Sequence, residues 1–442
     1  MKIALVSLQF EKTSTGGGGV HVENICKQFI DLGHKVTVIS IHTDKTINDV
    51  QFENGEKGFS IENRDNLRIV RLLIDRNIEQ PYVGSKKVEL ERIERFSYAA
   101  VSWIKERIDE FDVINLHGHH MLPGLMAKEL HGLGPVVVST LHSLESTFIS
   151  QKGDSLGSFE ATEEVLNKLR NWEAMSRFAD YIIVNSILVR NEFIEIATAH
   201  GAELKDLDNR IRLISSGCNE DFLMDYAEVI EKFSETPETI NLVTFSRVDP
   251  SKGIEYSIKG AKAAARLVMD KLNLTIAGIP DSDEYVNKLK SELTDLPENL
   301  EVNFRFTSAI SPPEEKKEIL DKQHIYILPT LKEPFGMSIV EASARGNMIV
   351  STDTTGPVFM MEDKNSIYES WGMITRYGAL AKITNDFSVN LAENLGKAIA
   401  WTINNRQGGE RRVIDFNKKI KKYWTWEGIG KQYIELFLEN EK

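Results

Sequence analysis

The chain has 442 residues, 41% hydrophobic and 27% charged, the proportions of an ordinary globular protein; they exclude a fibrous or disordered architecture, and the length points to two or three domains. A formal net charge of -13 repels nucleic acid and anionic lipid on average, so any phosphate site has to be local. Cys26 and Cys218 are too few for a disulfide framework and lie in no zinc-ligand spacing, which fits a reducing, cytoplasmic compartment.

The apolar run Ile3 to Leu8 is short and leads into Gln9, Glu11 and Lys12 without a small-residue cleavage pattern, so it reads as a first strand and not as a targeting segment. Nowhere do about eighteen apolar residues run together, which excludes a spanning helix. A glycine cluster, Gly16 to Gly19, follows the first strand. Val22, Ile25, Cys26, Phe29 and Leu32 then recur at helical spacing, Gly33 supplies a stop, and residues 35–40 read as the next strand, giving a βαβ unit. Further strands are predicted at 112–115, 135–140, 181–185 and 211–214. Residues 86–107 mix Lys86, Lys87, Arg92 and Arg95 with Glu89, Glu91 and Glu94, the pattern of a solvated helix.

The charged stretch 220–239, which holds Pro237, separates two series of strands and is read as the domain boundary. The second series is predicted at 241–245, 272–277, 300–306, 324–328 and 348–351. A last helix over 426–438 has an apolar side of Ile429, Tyr433, Ile434 and Phe437. The fold class is therefore α/β, with two Rossmann-like doubly wound parallel-sheet domains, 1–220 and 221–424, and a final helix, 425–442, packed on one of them. Such sheets bind ligands beyond the carboxyl ends of their strands.

The richest string is Lys332-Glu-Pro-Phe-Gly-Met-Ser-Ile-Val-Glu341, directly after a predicted strand. A helix beginning near Ser338 would present unpaired N–H groups, a ready anion site, with Glu341 near its first turn and Glu333 in the loop ahead. Taken alone, two such carboxylates read as a capping and an exposed glutamate. Together with the helix start they can accept hydrogen bonds from the hydroxyls of a ribose and a sugar. Ser246-Arg247-Val-Asp-Pro-Ser-Lys252-Gly253 follows the first strand of the second series, where Arg247 can fork onto phosphate oxygens and Lys252 adds a point charge. Asp281-Ser282-Asp283 is an Asp-x-Asp ahead of a predicted helix and is read as a cap, not a metal site. His117, His119 and His120 end one predicted strand and His142 the next, without the acidic or cysteine partners of a metal site.

Glu-Pro-Phe-Gly followed by a second glutamate eight positions after the first resembles the E-x7-E signature of retaining glycosyltransferase family 4, the group 1 enzymes of the GT-B fold. The resemblance covers almost the whole chain. It implies two domains facing a deep cleft, the first binding the acceptor and completed by the last helix, the second binding a sugar nucleotide. It implies that Glu333, Phe335, Gly336 and Met337 hold the donor sugar, that Glu341 holds the ribose, and that Ser338 and Ile339 offer amides to the diphosphate. Arg247 and Lys252 would hold the diphosphate, resembling the family's Gly-Arg-Leu string that ends in Lys-Gly, with Ser246 in place of the first glycine. Gly18 and Gly19 would approach it from the glycine loop. His142 aligns with the family's active-site histidine, and His117 and His119 with a His-x-His on the acceptor side. Ser308, where a glycine often stands, and Thr355-Gly356-Pro357, where Gly-Gly-Pro is common, depart from the pattern.

The implied activity is transfer of a hexosyl group from a UDP-, GDP- or ADP-sugar to a hydroxyl of a small soluble acceptor or glycan, with retention. Arg247, Lys252, Glu333 and His142 are the implied catalytic set, and no cofactor or metal is expected. The partners implied are the nucleotide sugar and its acceptor, with no nucleic acid. The basic run Lys418, Lys419, Lys421 and Lys422 is the one patch suited to a membrane surface, so a lipid or cell-surface polysaccharide acceptor stays open. The same fold would also suit a sugar-nucleotide epimerase or a noncatalytic sugar-nucleotide-binding protein.

Overall fold

The computed structural model describes residues 1–14, 17–43, 51–53, 57–75, 86–118, 122–147, 163–234, 236–307, 312–384 and 387–439. The chain divides into two units: Met1–Ser216 with Trp426–Lys442, and Gly217–Thr425. The boundaries thus fall after Ser216 and Thr425, instead of after Glu220 and Trp424. The charged stretch read as a linker is structured and belongs to the second unit, since it forms the helix Tyr226–Ser234 with Val229 buried. Glu228 and Glu231 stand on the outer face of that helix, whereas Lys232 turns inward, its Nζ donating to the Arg345 carbonyl at 2.8 Å and the Leu320 carbonyl at 3.2 Å.

The first unit is built on a sheet of nine strands. Their spatial order is Gln51–Glu53, Lys57–Arg64, Leu67–Leu73, Lys35–Ile41, Lys2–Val6, Val113–Gly118, Val136–Leu141, Tyr181–Val184 and Ile211–Leu213. The last seven pair in parallel, as apolar runs covered on both faces require, whereas the first two join as antiparallel edge strands. That hairpin edge was not expected. The helix over the predicted stretch runs Lys86–Lys105 and is not simply solvated: Leu90, Ile93, Phe96, Ala100, Trp103 and Ile104 are buried on the sheet. On the other face lies the helix Gly17–Asp31, which packs against the last helix, Trp426–Leu438, through Phe29, Tyr433 and Phe437, with ring centroids 5.6–6.0 Å apart.

The second unit carries an eight-stranded sheet in the order Leu300–Phe306, Lys271–Gly278, Thr239–Phe245, Ile325–Leu328, Met348–Thr352, Gly378–Ala381, Gly372–Ile374 and Ile367–Glu369. Its first six strands are parallel and the last two antiparallel. Separate apolar clusters cover its two faces, one around Leu242, Leu274 and Ile258 and the other around Val243, Tyr326 and Phe335. Both sheets are doubly wound, and the carboxyl ends of their parallel strands carry the candidate residues.

Candidate functional site

In the second unit the turn after Thr239–Phe245 is a single 3-10 turn, Pro250–Lys252, capped by the Asp249 carboxylate on the Ser251 amide at 2.8 Å. Gly253 ends it at φ 61°, and a Cβ there would lie 2.4 Å from the Pro329 carbonyl oxygen, so only glycine lets this turn sit against the end of the Ile325–Leu328 strand. The consequence is an ion pair: Lys252 Nζ lies 2.8 Å from Glu333 Oε2, both side chains mostly shielded from solvent. Arg247 is half-exposed, with Nη1 3.1 Å from Asp249 Oδ2. Burial alone would raise the Asp249 pKa, but Arg247, Ser251 and Lys252 outweigh it and hold the carboxyl below its ordinary range.

The loop ahead of the next helix is pinned by the Gly356 amide, which donates to the Glu333 carbonyl at 2.9 Å. Phe335 is buried, edge-on to Trp424 at 5.6 Å, so its side chain anchors the loop and only its backbone can serve a ligand. The helix Met337–Ala344 starts from Gly336 at φ 109°. Its Ile339 amide donates to the Gly336 carbonyl at 3.0 Å and is therefore engaged, contrary to the expectation that it faces a diphosphate. The first-turn amides of Met337 and Ser338 have no residue four positions back inside the helix. The Ser338 side chain bonds the buried Tyr326 hydroxyl, which donates to the Phe245 carbonyl at 2.9 Å. Glu341 is held by Lys316, whose Nζ lies 2.9 and 3.0 Å from its two oxygens. Neither glutamate of the motif stands without a cation. Lys316 was missed because it comes from another helix, Pro313–Asp321, and carries no motif.

Asp281-Ser282-Asp283 is a cap, as read: the Ser282 hydroxyl accepts from the Tyr285 amide at 3.2 Å. Of the basic run near the C-terminus, Lys418, Lys421 and Lys422 are exposed at i, i+3 and i+4 of the helix Gly409–Tyr423, whereas Lys419 turns inward, its Nζ donating to the Met360 carbonyl at 2.6 Å. Both cysteines are buried, which pushes the Cys26 thiol up to about 12 and the Cys218 thiol higher still, so neither offers a thiolate at neutral pH.

In the first unit the glycine run is not a loop before the helix: the helix begins at Gly17, and Gly18 and Gly19 are buried in its first turn. A Cβ on Gly19 would lie 2.4 Å from Ser14 Oγ and 2.8 Å from Gln9 Oε1. Thr15, Gly16, His119, His120 and Ser308 lie outside the described residues. The ends of two neighbouring strands bring His117 and His142 together, with His117 Nδ1 3.4 Å from His142 Nε2 and His117 Nε2 2.6 Å from Asn115 Oδ1. Burial, then His142, lowers the His117 pKa well below its ordinary value. A third histidine, His21, joins them from the first helix, its ring centroid 4.6 Å from that of His142. Its Nδ1 lies 3.0 Å from Ser216 Oγ and its Nε2 3.1 Å from the Tyr433 hydroxyl. The signal for His21 was a histidine on the apolar side of a helix opening with glycines.

These three rings are the one group among the described residues with metal-ligand types in reach of one another, their ligand atoms lying within 4.8 Å. A tetrahedral zinc with bonds near 2.05 Å needs its ligand nitrogens about 3.4 Å apart. The His117–His142 pair meets that spacing, but both His21 nitrogens already have hydroxyl partners.

Two doubly wound units in one chain, the second with cations and carboxylates gathered at a helix start, define the GT-B class of α/β glycosyltransferases. Residues 15–221 match Glycosyltransferase Family 4 and residues 226–372 match Glycosyl transferases group 1, and the chain belongs to this family of glycosyltransferases. A probable sucrose-phosphate synthase of Thermosipho melanesiensis is 24% identical over 99% of this chain and 96% of its own. The structure of sucrose-phosphate synthase from Thermosynechococcus elongatus matches with a TM-score of 0.71 at 18% identity, covering 100% of this chain and 99% of that one. That of Anabaena HepE in complex with UDP and glucose matches with a TM-score of 0.61 at 15% identity, covering 99% of both chains. Among the described residues no helix is long and apolar enough to cross a membrane.

Proposed function

We propose that this glycosyltransferase moves a hexosyl group from a nucleoside-diphosphate sugar to a hydroxyl of a small soluble acceptor or glycan, with retention of anomeric configuration. The observation that carries the reading is the juxtaposition of Lys252 and Glu333 at 2.8 Å, on a turn that also bears Arg247 and beside the helix start at Gly336. The C1–oxygen bond to the diphosphate breaks and the acceptor oxygen takes its place, the acceptor proton leaving on the diphosphate. Arg247, Lys252 and the amides of Met337 and Ser338 stabilise charge gathering on the departing oxygens, a preorganised electrostatic role. Glu333 accepts from hydroxyls of the donor sugar and Glu341, oriented by Lys316, from the ribose. His142 orients the sugar and needs no metal. The UDP and glucose bound by the Anabaena relative support a uridine donor as the first to try.

A thermal-shift panel of UDP-, GDP- and ADP-sugars tests the reading, because a donor at about 100 times its dissociation constant adds about 2.7 kcal/mol. The proton coupling of the product's anomeric centre then reports retention. A panel in which no sugar nucleotide raises the melting transition of the second unit overturns the proposal.

A further inference from the structure

We infer that a second copy of this chain docks on the outer edge of the strand Leu300–Phe306, the two strands pairing antiparallel about a two-fold axis at Asn303, so that two eight-stranded sheets become one. Among the described residues the two sheets of the chain have four edges, and three of them are strands of three residues: Gln51–Glu53, Ile211–Leu213 and Ile367–Glu369. Short edge strands keep unpaired backbone groups from recruiting another chain. The fourth edge has seven residues with no lysine, proline or glycine, and it runs in unbroken register with Lys271–Gly278 from Leu300 to Phe306.

The backbone of that strand sets what a partner meets. The Asn299 carbonyl accepts from the Leu272 amide at 2.7 Å and the Thr307 amide donates to the Gly278 carbonyl at 3.0 Å, so odd-numbered residues commit their backbone groups to the neighbouring strand. The amides and carbonyls of Val302 and Phe304 therefore face outward. With the axis at Asn303, Val302 and the second copy's Phe304 form a hydrogen-bonded pair. Asn303 lies opposite itself in a non-hydrogen-bonded pair, where side chains come closest.

The side chains are self-complementary in this register. Glu301 and Arg305 are both exposed, and each falls opposite the other, whereas an axis at 301 or 305 sets like charges together. On the other face the half-buried Val302 meets Phe304, and Leu300 meets Phe306. Arg305 has one carboxylate of its own chain in reach among the described residues, Glu315 Oε1 at 3.4 Å from Nη2, which leaves Nη1 and Nε for the second copy's Glu301. At the axis a side chain meets its own copy, which suits an amide, at once donor and acceptor. Asn303 ends a series of amides: Asn241 Nδ2 donates to the Lys322 carbonyl at 3.0 Å, Asn273 Nδ2 to Asn241 Oδ1 at 3.3 Å, and Asn303 Nδ2 to Asn273 Oδ1 at 2.8 Å. A carbonyl can only accept, so every amide of the series is oriented, and Asn303 keeps its Oδ1 and one N–H for its copy. The contact is the same patch on both chains, so it closes at two.

Sedimentation equilibrium of the full chain over about 1–100 μM reads the association, a single strand pair being a small interface. The mass should rise from 50.0 kDa toward twice that value. Glu301→Arg sets arginine against Arg305, and Arg305→Glu sets glutamate against Glu301, so each variant alone should weaken the dimer about tenfold or more. An equimolar mixture of the two should associate like the parent, because both pairs are again opposite in sign. On mild oxidation Asn303→Cys, with Cα atoms about 4.5 Å apart across the axis, should cross-link to itself. Glu301→Cys should cross-link to Arg305→Cys and not to itself. Cys26 and Cys218 are buried and do not compete. A chain that stays at 50.0 kDa throughout, a dimer that both charge variants leave intact, or charge variants that do not recombine when mixed overturns the proposal. A dimer that the charge variants disrupt but that does not cross-link at position 303 overturns the register. Should the charge variants fail to fold, the cysteine pairs decide alone.

Discussion

Replacing Gly253 by alanine separates two effects that usually arrive together, because Gly33 offers the same backbone demand without the neighbour. Both glycines sit in the left-handed region, at φ 61° and 85°. That conformation costs an alanine about 1–2 kcal/mol. At Gly33, just past the helix Gly17–Asp31, nothing lies within 4 Å of the new Cβ, so the cost ends there. At Gly253 the Cβ would stand 2.4 Å from the Pro329 carbonyl oxygen, and contacts under 3.0 Å are essentially never tolerated, so the turn must withdraw by at least 0.6 Å. Overpacking of that kind adds about 1–3 kcal/mol. The expected drop in melting temperature is about 2–8 °C for Gly33→Ala and about 4–20 °C for Gly253→Ala, at about 2–4 °C per kcal/mol for units of this size. The withdrawal also carries Lys252 away from Glu333, and a misplacement near 1 Å can cost about a hundredfold, so kcat should fall about tenfold or more in Gly253→Ala and stay at the parent value in Gly33→Ala. Calorimetry and initial rates with a sugar-nucleotide donor measure both. If the two variants melt together and turn over alike, the close approach does not build the site.

Arg247→Ala and Lys252→Ala should each lower kcat by about 10²-fold, the scale of a lost oxyanion donor; unchanged turnover in both sinks their role at the diphosphate. Glu333→Gln should impair use of the donor sugar while leaving the affinity for the free nucleoside diphosphate within about twofold by calorimetric titration, since charge on the diphosphate is met elsewhere. Glu173, buried with Ser146 donating its amide at 3.1 Å and its hydroxyl to the carboxylate, has its pKa raised to about 7, chiefly by burial. A carboxyl raised on folding contributes stability that is full below its unfolded value and is lost as pH rises through about 7, a loss of at most about 3 kcal/mol. The first unit should therefore melt lower at pH 8.5 than at pH 5, and Glu173→Gln should flatten that slope; an unchanged slope refutes the assignment. Chelation with EDTA should leave the initial rate within about twofold, because the proposed chemistry routes no charge through a metal.

Most of the parallel strands were legible because residues such as Ile3 to Val6 and Val136 to Val138 form apolar runs covered on both faces, but the short strand Gly378–Ala381 was not. The hairpin of Lys57–Arg64 and Leu67–Leu73 was not, since Glu62 and Arg64 stand on one face and Asn63 and Arg68 on the other, and its turn uses Asp65 at φ 37° where a glycine would have announced it. The helix Tyr226–Ser234 was hidden for a similar reason, with Glu228, Glu231 and Lys232 masking the buried Val229. At the site, Glu333, Glu341, Arg247 and Lys252 were found by spacing within two short strings. Their partners were not: Lys316 reaches Glu341 across 25 residues, and Lys252 reaches Glu333 across 81. The first joins the two helices that flank the strand Ile325–Leu328, and the second joins turns at the ends of two strands that are neighbours in the sheet.

The Tyr433 hydroxyl meets His21 across 412 residues of chain, with the whole of the second unit encoded between them. During synthesis from the N-terminus, the first sheet and its glycine-opened helix emerge long before the helix that covers Phe29 and supplies that hydroxyl. The second unit can complete its fold while the first still waits with an uncovered apolar face. Tyr433 is thus synthesised after every other residue of the histidine cluster, and premature termination before residue 426 deprives the cluster of it while leaving the donor-side residues intact.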